Sequence, residues 1–179
     1  MLSWGVAILA WFYGIYEMFA TNRMIISSYI LGKKVLDFKE PFVCHEHSIR
    51  VNEMLETENG KFKFIQRSKC LFREKLKLFH LRWHTPFPLR GTLAFQDGIV
   101  HVEGRLPLGP TVFMAAWAIG WTSGGIGFGI QEHDFRFAGL FILIGWLFLL
   151  IMYYMSVPLE KKRFLVVYEE VKQNLRCSK

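Results

Sequence analysis

Four side chains able to ligate a metal or move a proton stand together at Cys44, His45, Glu46 and His47, inside the run VCHEHS, Val43–Ser48. Cys44 and His47 have C-x2-H spacing, and His80 and His84 further on have H-x3-H spacing. Together these are the spacings that close a small zinc site. The local geometry argues against it. In an extended run, residues three apart point to opposite faces, so Cys44 and His47 diverge. His80 and His84 also fall in a strand-like run, where four residues at 3.3 Å each separate them by about 13 Å, too far to share an ion. Structural zinc domains bring paired Cys knuckles, and this chain has none.

Nor does Cys44 make a nucleophile with His45 or His47, because neighbours on one strand cannot easily set an imidazole on the adjacent sulfur, and no oxyanion-hole motif accompanies them. The cluster is expected to be an exposed strand edge or loop. The expectation is no catalytic residue, no metal site and no cofactor.

Two other features invite chemistry. GGIGFG, Gly124–Gly129, superficially looks like a phosphate loop, but it lacks the following Lys, departs from G-x-G-x-x-G and sits inside an apolar run. Its better reading is helix packing. Gly120/Gly124 and Gly125/Gly129 each give the small-xxx-small spacing that lets helix backbones approach closely, with a following helix as the expected partner. Glu17 is the one acid inside an apolar run. Intramembrane acids raise a functional hypothesis, but its place near Asn22 and Arg23 suits a carboxylate at headgroup level.

What must position these residues is set by three apolar runs in a chain of 179 residues that is 52% hydrophobic yet carries a formal charge of +7. The runs cover residues 2–21, 112–130 and 137–157. A bilayer core of about 30 Å takes about 20 helical residues, and all three are long enough. The first has no basic segment before it and no cleavage pattern after it, so it reads as a retained anchor. Lys and Arg crowd the segment between runs one and two and the start of the tail, Glu160–Arg163. The positive-inside rule then sets the middle domain and the tail in the cytoplasm and the N-terminus outside. Cys44, Cys70 and Cys177 all fall on that side, an odd set expected to stay reduced.

Residues 35–108 change character to short alternating stretches. Lys61–Phe64, Lys75–Trp83, Leu89–Phe95 and Gly98–Arg105 read as strands of an antiparallel meander of about four, with a tight turn at Asp97-Gly98 and a break at Thr85–Pro88. Ser48–Gly60 reads as a short covering helix, although Ile49 and Val51 also fit a strand. In residues 159–176, Phe164, Val167, Tyr168, Val171 and Leu175 recur at helical steps, a face for the domain or the membrane surface. The expected fold is thus a membrane α+β protein. It has three transmembrane helices, a small antiparallel β-meander cytoplasmic domain between the first two, and a C-terminal amphipathic helix.

Arg105, Lys161, Lys162 and Arg163 flank the apolar runs and are expected to meet lipid headgroups. Basic residues there are drawn to anionic lipid by about 1 kcal/mol each. The lipid bilayer with anionic headgroups and a protein partner at the membrane are therefore expected. Nucleic acid is not, since Lys61–Gln66, KFKFIQ, lacks the aromatic RNA-binding pattern.

Arg82–Trp117 resembles a loose set of uncharacterised small bacterial inner-membrane proteins, in which a β-meander leads into a two-helix membrane hairpin. The resemblance is carried by Gly91, Leu93, the Asp97-Gly98 turn, Val100, Val102, Leu106 and Trp117. Members often have an Asn-Ser pair before the proline, where this chain has His84-Thr85. It implies an architecture and no activity. The functional expectation is a multi-pass membrane protein that acts by binding, in an accessory, regulatory or immunity-type role. The alternatives are a small transporter or channel subunit oligomerising through the Gly-rich helix, or a membrane-bound enzyme on lipid substrates.

Overall fold

The computed structural model describes residues 2–42, 51–75 and 88–177. In chain order the elements are α1 (Leu2–Asn22), α2 (Ile26–Ile30), β1 (Lys34–Pro41), β2 (Met54–Glu56), β3 (Gly60–Gln66), β4 (Lys69–Glu74), β5 (Arg90–Gln96), β6 (Ile99–Arg105), α3 (Leu108–Glu132) and α4 (Phe135–Cys177). The six strands form one antiparallel sheet in the order β1-β6-β5-β4-β3-β2. Five strands run as a meander, and β1 returns to pair with β6 at the far edge.

Local chemistry explains the registers. Asp97 at φ 52° and Gly98 at φ 73° supply the two left-handed residues a tight hairpin needs, so β5 and β6 pair from Gln96↔Ile99 to Arg90↔Arg105. Gly91 faces Phe72 across the β4–β5 pair, where any side chain would run into the aromatic ring. On one face of the sheet Phe62, Phe64, Phe72, Leu93, Val100 and Val102 form the core. The stripe Phe164, Val167, Tyr168, Val171 and Leu175 of α4 covers them, and all five are buried. At about 1.5–3 kcal/mol per fully buried apolar side chain, that stripe alone fixes how the helix sits. The opposite face carries Leu71 and Arg73 of β4 and Arg90 of β5, under Met24 and Tyr29.

The expected three transmembrane helices are not what the structure contains. Among the described residues one helix, α4, is long and apolar enough to cross a membrane. The other two helices differ from it in composition and contacts. In α3 the apolar residues are diluted by Trp117, Trp121, Thr122, Ser123 and five glycines between Gly120 and Gly129. In α1, Glu17 is fully buried and bound to the sheet, which ties the end of that helix to the β domain.

Three further corrections follow. The sheet has six strands, not about four. The expected covering helix in Ser48–Gly60 is replaced, within the described part, by strand β2 and a turn in which Thr57 Oγ1 accepts from the Gly60 N–H at 2.9 Å. The expected separate C-terminal amphipathic helix is the second half of α4, which runs unbroken through Pro158 for 43 residues. Pro158 removes one N–H donor, yet packing on both sides carries the helix through. The strand expected over Lys75–Trp83 and the break at Thr85–Pro88 fall almost wholly outside the described residues.

Candidate functional site

Cys44, His45, Glu46 and His47 lie outside the described residues, as do His80 and His84. The chemistry that is visible sits elsewhere, where α1, α2, β4, β5 and the start of α3 converge. Its centre is Glu17, which one helical turn of α1 carries beneath the sheet. Glu17 Oε1 accepts from Arg90 Nη1 at 2.7 Å and from the Leu108 N–H at 2.9 Å, and its Oε2 accepts from the Gly109 N–H at 2.6 Å. Leu108 and Gly109 open α3, whose N-cap Pro107 makes no side-chain cap. The first N–H groups of a helix have no partner within it, and they carry the positive end of its dipole. A carboxylate reaching over from another helix meets both needs.

Glu17 is thus a buried tie between two helices and the sheet, with no exposed surface for a headgroup to meet. That closeness requires glycine. A Cβ on Gly109 would stand 2.6 Å from Gly14 Cα and 2.9 Å from Glu17 Oε2. The Gly14–Gly109 crossing of α1 on α3 is not among the small-residue pairs visible in the sequence, because its two members are far apart along the chain and Gly109 precedes the second apolar run.

Arg90 is 3% exposed, and its Nη1 also donates to the Ser28 carbonyl at 2.5 Å. Beside it Arg73 is 7% exposed, and its Nη2 donates to Asn22 Oδ1. Burial pulls the Arg73 guanidinium below its usual range, and the nearby Arg90 charge pushes the same way. Tyr29, fully buried between the two arginines and α1, has its phenol pushed well up by burial. The Nε N–H groups of both Arg73 and Arg90 are buried without a hydrogen-bond partner.

Next to these arginines is a cavity of about 390 Å³. Its walls include Trp11, Ile15 and Met18 of α1 and Phe113 of α3, and Arg73, Arg90 and Glu160 stand on its lining. Glu160 is buried and already engaged, accepting from Arg163 Nη1 at 3.2 Å and from the Leu89 N–H at 3.3 Å.

A second cluster, Asp37, His101 and Glu103 on β1 and β6, brings three potential metal ligands within 4.8 Å of one another. Lys34 already occupies it, with Nζ 2.8 Å from Asp37 and 3.2 Å from Glu103, and Arg105 lies 2.9 Å from Glu103. The Lys34 ammonium, with the His101 hydrogen bond, pulls the Asp37 carboxyl down to about 2. The arrangement is a charge-balanced surface network, and a cation entering it would have to displace Lys34.

The residues singled out in sequence separate as follows. A Cβ at Gly125 would come 2.5 Å from Ile142, and one at Gly129 would come 2.8 Å from Ala138 Cβ, so both face α4. Gly124 has open space around it. Gly120 is half-buried on α3. Arg105 pairs with Glu103 and donates to the Gly32 carbonyl at 3.4 Å. Arg163 pairs with Glu160, while Lys162 is exposed and Lys161 half-buried, where the apolar half of α4 gives way to the half that covers the sheet. No protein-family model, curated protein or solved structure matches the chain.

Proposed function

We propose that the protein works at a membrane as a non-catalytic binding protein, in an accessory, regulatory or immunity-type role, held there by the first half of α4. One observation carries this. A single 43-residue helix joins an apolar half to a half buried on the sheet. In the apolar half Leu143, Ile144, Leu147, Phe148 and Ile151 are all exposed, whereas the other half presents its stripe to the core. A contiguous exposed apolar surface of that extent needs lipid or a protein to cover it. A helix running continuously between the two halves transmits position from one to the other.

The exposed Ile8, Leu9 and Phe12 of α1 and Ile126 and Ile130 of α3 extend the same surface. Lys161 and Lys162 stand at the height where anionic headgroups would meet them, which by the positive-inside rule sets the sheet on the cytoplasmic side. A pore subunit oligomerising through the glycines of α3 finds less support, since Gly125 and Gly129 already pack on α4.

The test is extraction of membranes with alkaline carbonate from cells making the full chain. The expected result is retention in the membrane pellet. Replacement of Leu143, Leu147 and Ile151 by Asn should move the chain to the soluble or aggregated fraction. Quantitative release of the unaltered chain by carbonate would refute the reading.

A further inference from the structure

We infer that the cavity between α1, α3 and the sheet binds an amphiphile with one acyl chain and an oxyanion head, the head on Arg73 and Arg90 and the chain along Trp11, Ile15, Met18 and Phe113. The inference rests on the membrane reading above, which supplies the source of such a ligand, and it names the class of molecule bound.

The charge balance points to an anion. Arg90 is matched by Glu17, which is itself fully used by Arg90 and the start of α3. Glu160 is matched by Arg163. Arg73 is left over. Among the described residues its one hydrogen-bond partner is the neutral Asn22. An arginine does not escape the problem by losing its proton. A buried guanidinium without a counter-charge is strongly unfavourable, and an entering oxyanion removes that cost.

The hydrogen bonds point the same way. Both arginines line the cavity, and each holds a buried Nε N–H with no acceptor. Buried donors are almost always paired, so these two orphans leave both guanidiniums under-satisfied beside the cavity. A carboxylate or phosphate supplies several acceptor lone pairs in the geometry that guanidinium recognises.

The remaining wall selects the tail. Trp11, Ile15, Met18 and Phe113 are apolar, and a volume near 390 Å³ lies at the lower end of the roughly 300–1,000 Å³ typical of small-ligand pockets. A free inorganic anion would satisfy the arginines and leave the apolar walls unfilled. An uncharged alkyl chain would fill the walls and leave Arg73 unmatched.

The experiment uses the full chain, both in phosphatidylcholine nanodiscs and in maltoside micelles. The probe is a diazirine-bearing palmitate, and the read-out is intact-mass and peptide mass spectrometry. The expected result is one probe per chain, attached at the α1 and α3 wall residues. Excess oleate or lysophosphatidate should compete it out at least ten-fold better than oleyl alcohol or inorganic phosphate. Competition by oleate alone assigns a carboxylate head, and by lysophosphatidate alone a phosphate head; either supports the inference.

Arg73→Gln should lower capture at least ten-fold. Ile15→Trp, which fills the apolar wall and leaves both arginines in place, should do the same with an unchanged melting temperature. Equal competition by oleyl alcohol, competition by inorganic phosphate alone, or undiminished capture by folded Arg73→Gln would overturn the inference. Failure to enter nanodiscs would count against the membrane reading, and the micelle arm would still decide the cavity.

Discussion

At the scale of single residues, the energetic weight of this protein rests on Glu17. Its carboxylate is shared between Arg90 and the first two N–H groups of α3, all out of water. Removing one partner of a buried ion pair leaves the other charged and unmatched, at a cost of about 3–5 kcal/mol, whereas removing both charges costs far less than the sum. Arg90→Met is therefore expected to lower stability by about that amount. The double replacement Glu17→Gln with Arg90→Met should recover a good part of it, since Gln can still accept from the start of α3. Denaturant midpoints of the wild type, both single variants and the double variant measure the coupling; strictly additive losses would mean the pair is not energetically linked.

The sequence shows that Glu17 is unusual, as the single acid in an apolar run. It does not show the partner, because Arg90 lies 73 residues away in a strand whose basic residues look like any other surface charge. Arg73 is hidden for the same reason. A one-residue shift of strand register decides whether an arginine meets solvent or the underside of α1, and that register is a property of the sheet.

Among the elements, legibility follows how each is buried. The β5–β6 hairpin can be read directly, since Asp97-Gly98 is a strong local turn signal between alternating runs. β3, with its charged and Phe residues in alternation, can also be read. β4 cannot, because it is buried on both faces: Cys70, Leu71, Phe72 and Arg73 in succession leave no period of two to detect. β1 ends in Pro41 and carries Lys34, Asp37, Lys39 and Glu40, the composition of an edge strand, which resembles a loop when only the sequence is in view.

The α3–α4 hairpin allows a sharp prediction because adjacent glycines face differently. Gly125→Leu drives a side chain into Ile142 and should destabilise by about 1–3 kcal/mol, as overpacking does. Gly124→Leu enters open space and should change stability by less than about 0.5 kcal/mol. Thermal melts in one detergent compare the two, and equal losses would mean that the hairpin packs through a different face.

For the whole molecule, composition raises the expectation of lipid but not how many helices would enter it. Three runs of sufficient length suggest three equivalent spans. The structure distinguishes them: α1 is bound to the sheet by Glu17, α3 is diluted by glycine and polar residues, and among the described residues only α4 is long and apolar enough to cross a bilayer. The helical period of Phe164 to Leu175 is plain in the sequence. What is not plain is that it continues the preceding apolar run in one helix, because Pro158 at the junction reads locally as a stop. In the proposed reading, that continuity makes α4 the link between membrane and sheet.

The measurement that tests this most directly is spin-label accessibility along α4 in nanodiscs, with labels placed singly at Leu143, Leu147, Leu150, Leu165 and Val166, all exposed positions. The account predicts that labels at Leu143, Leu147 and Leu150 are relaxed by oxygen and shielded from a water-soluble nickel chelate. Labels at Leu165 and Val166 should show the reverse. Nickel access at Leu143 and Leu147 equal to that at Val166 would contradict it.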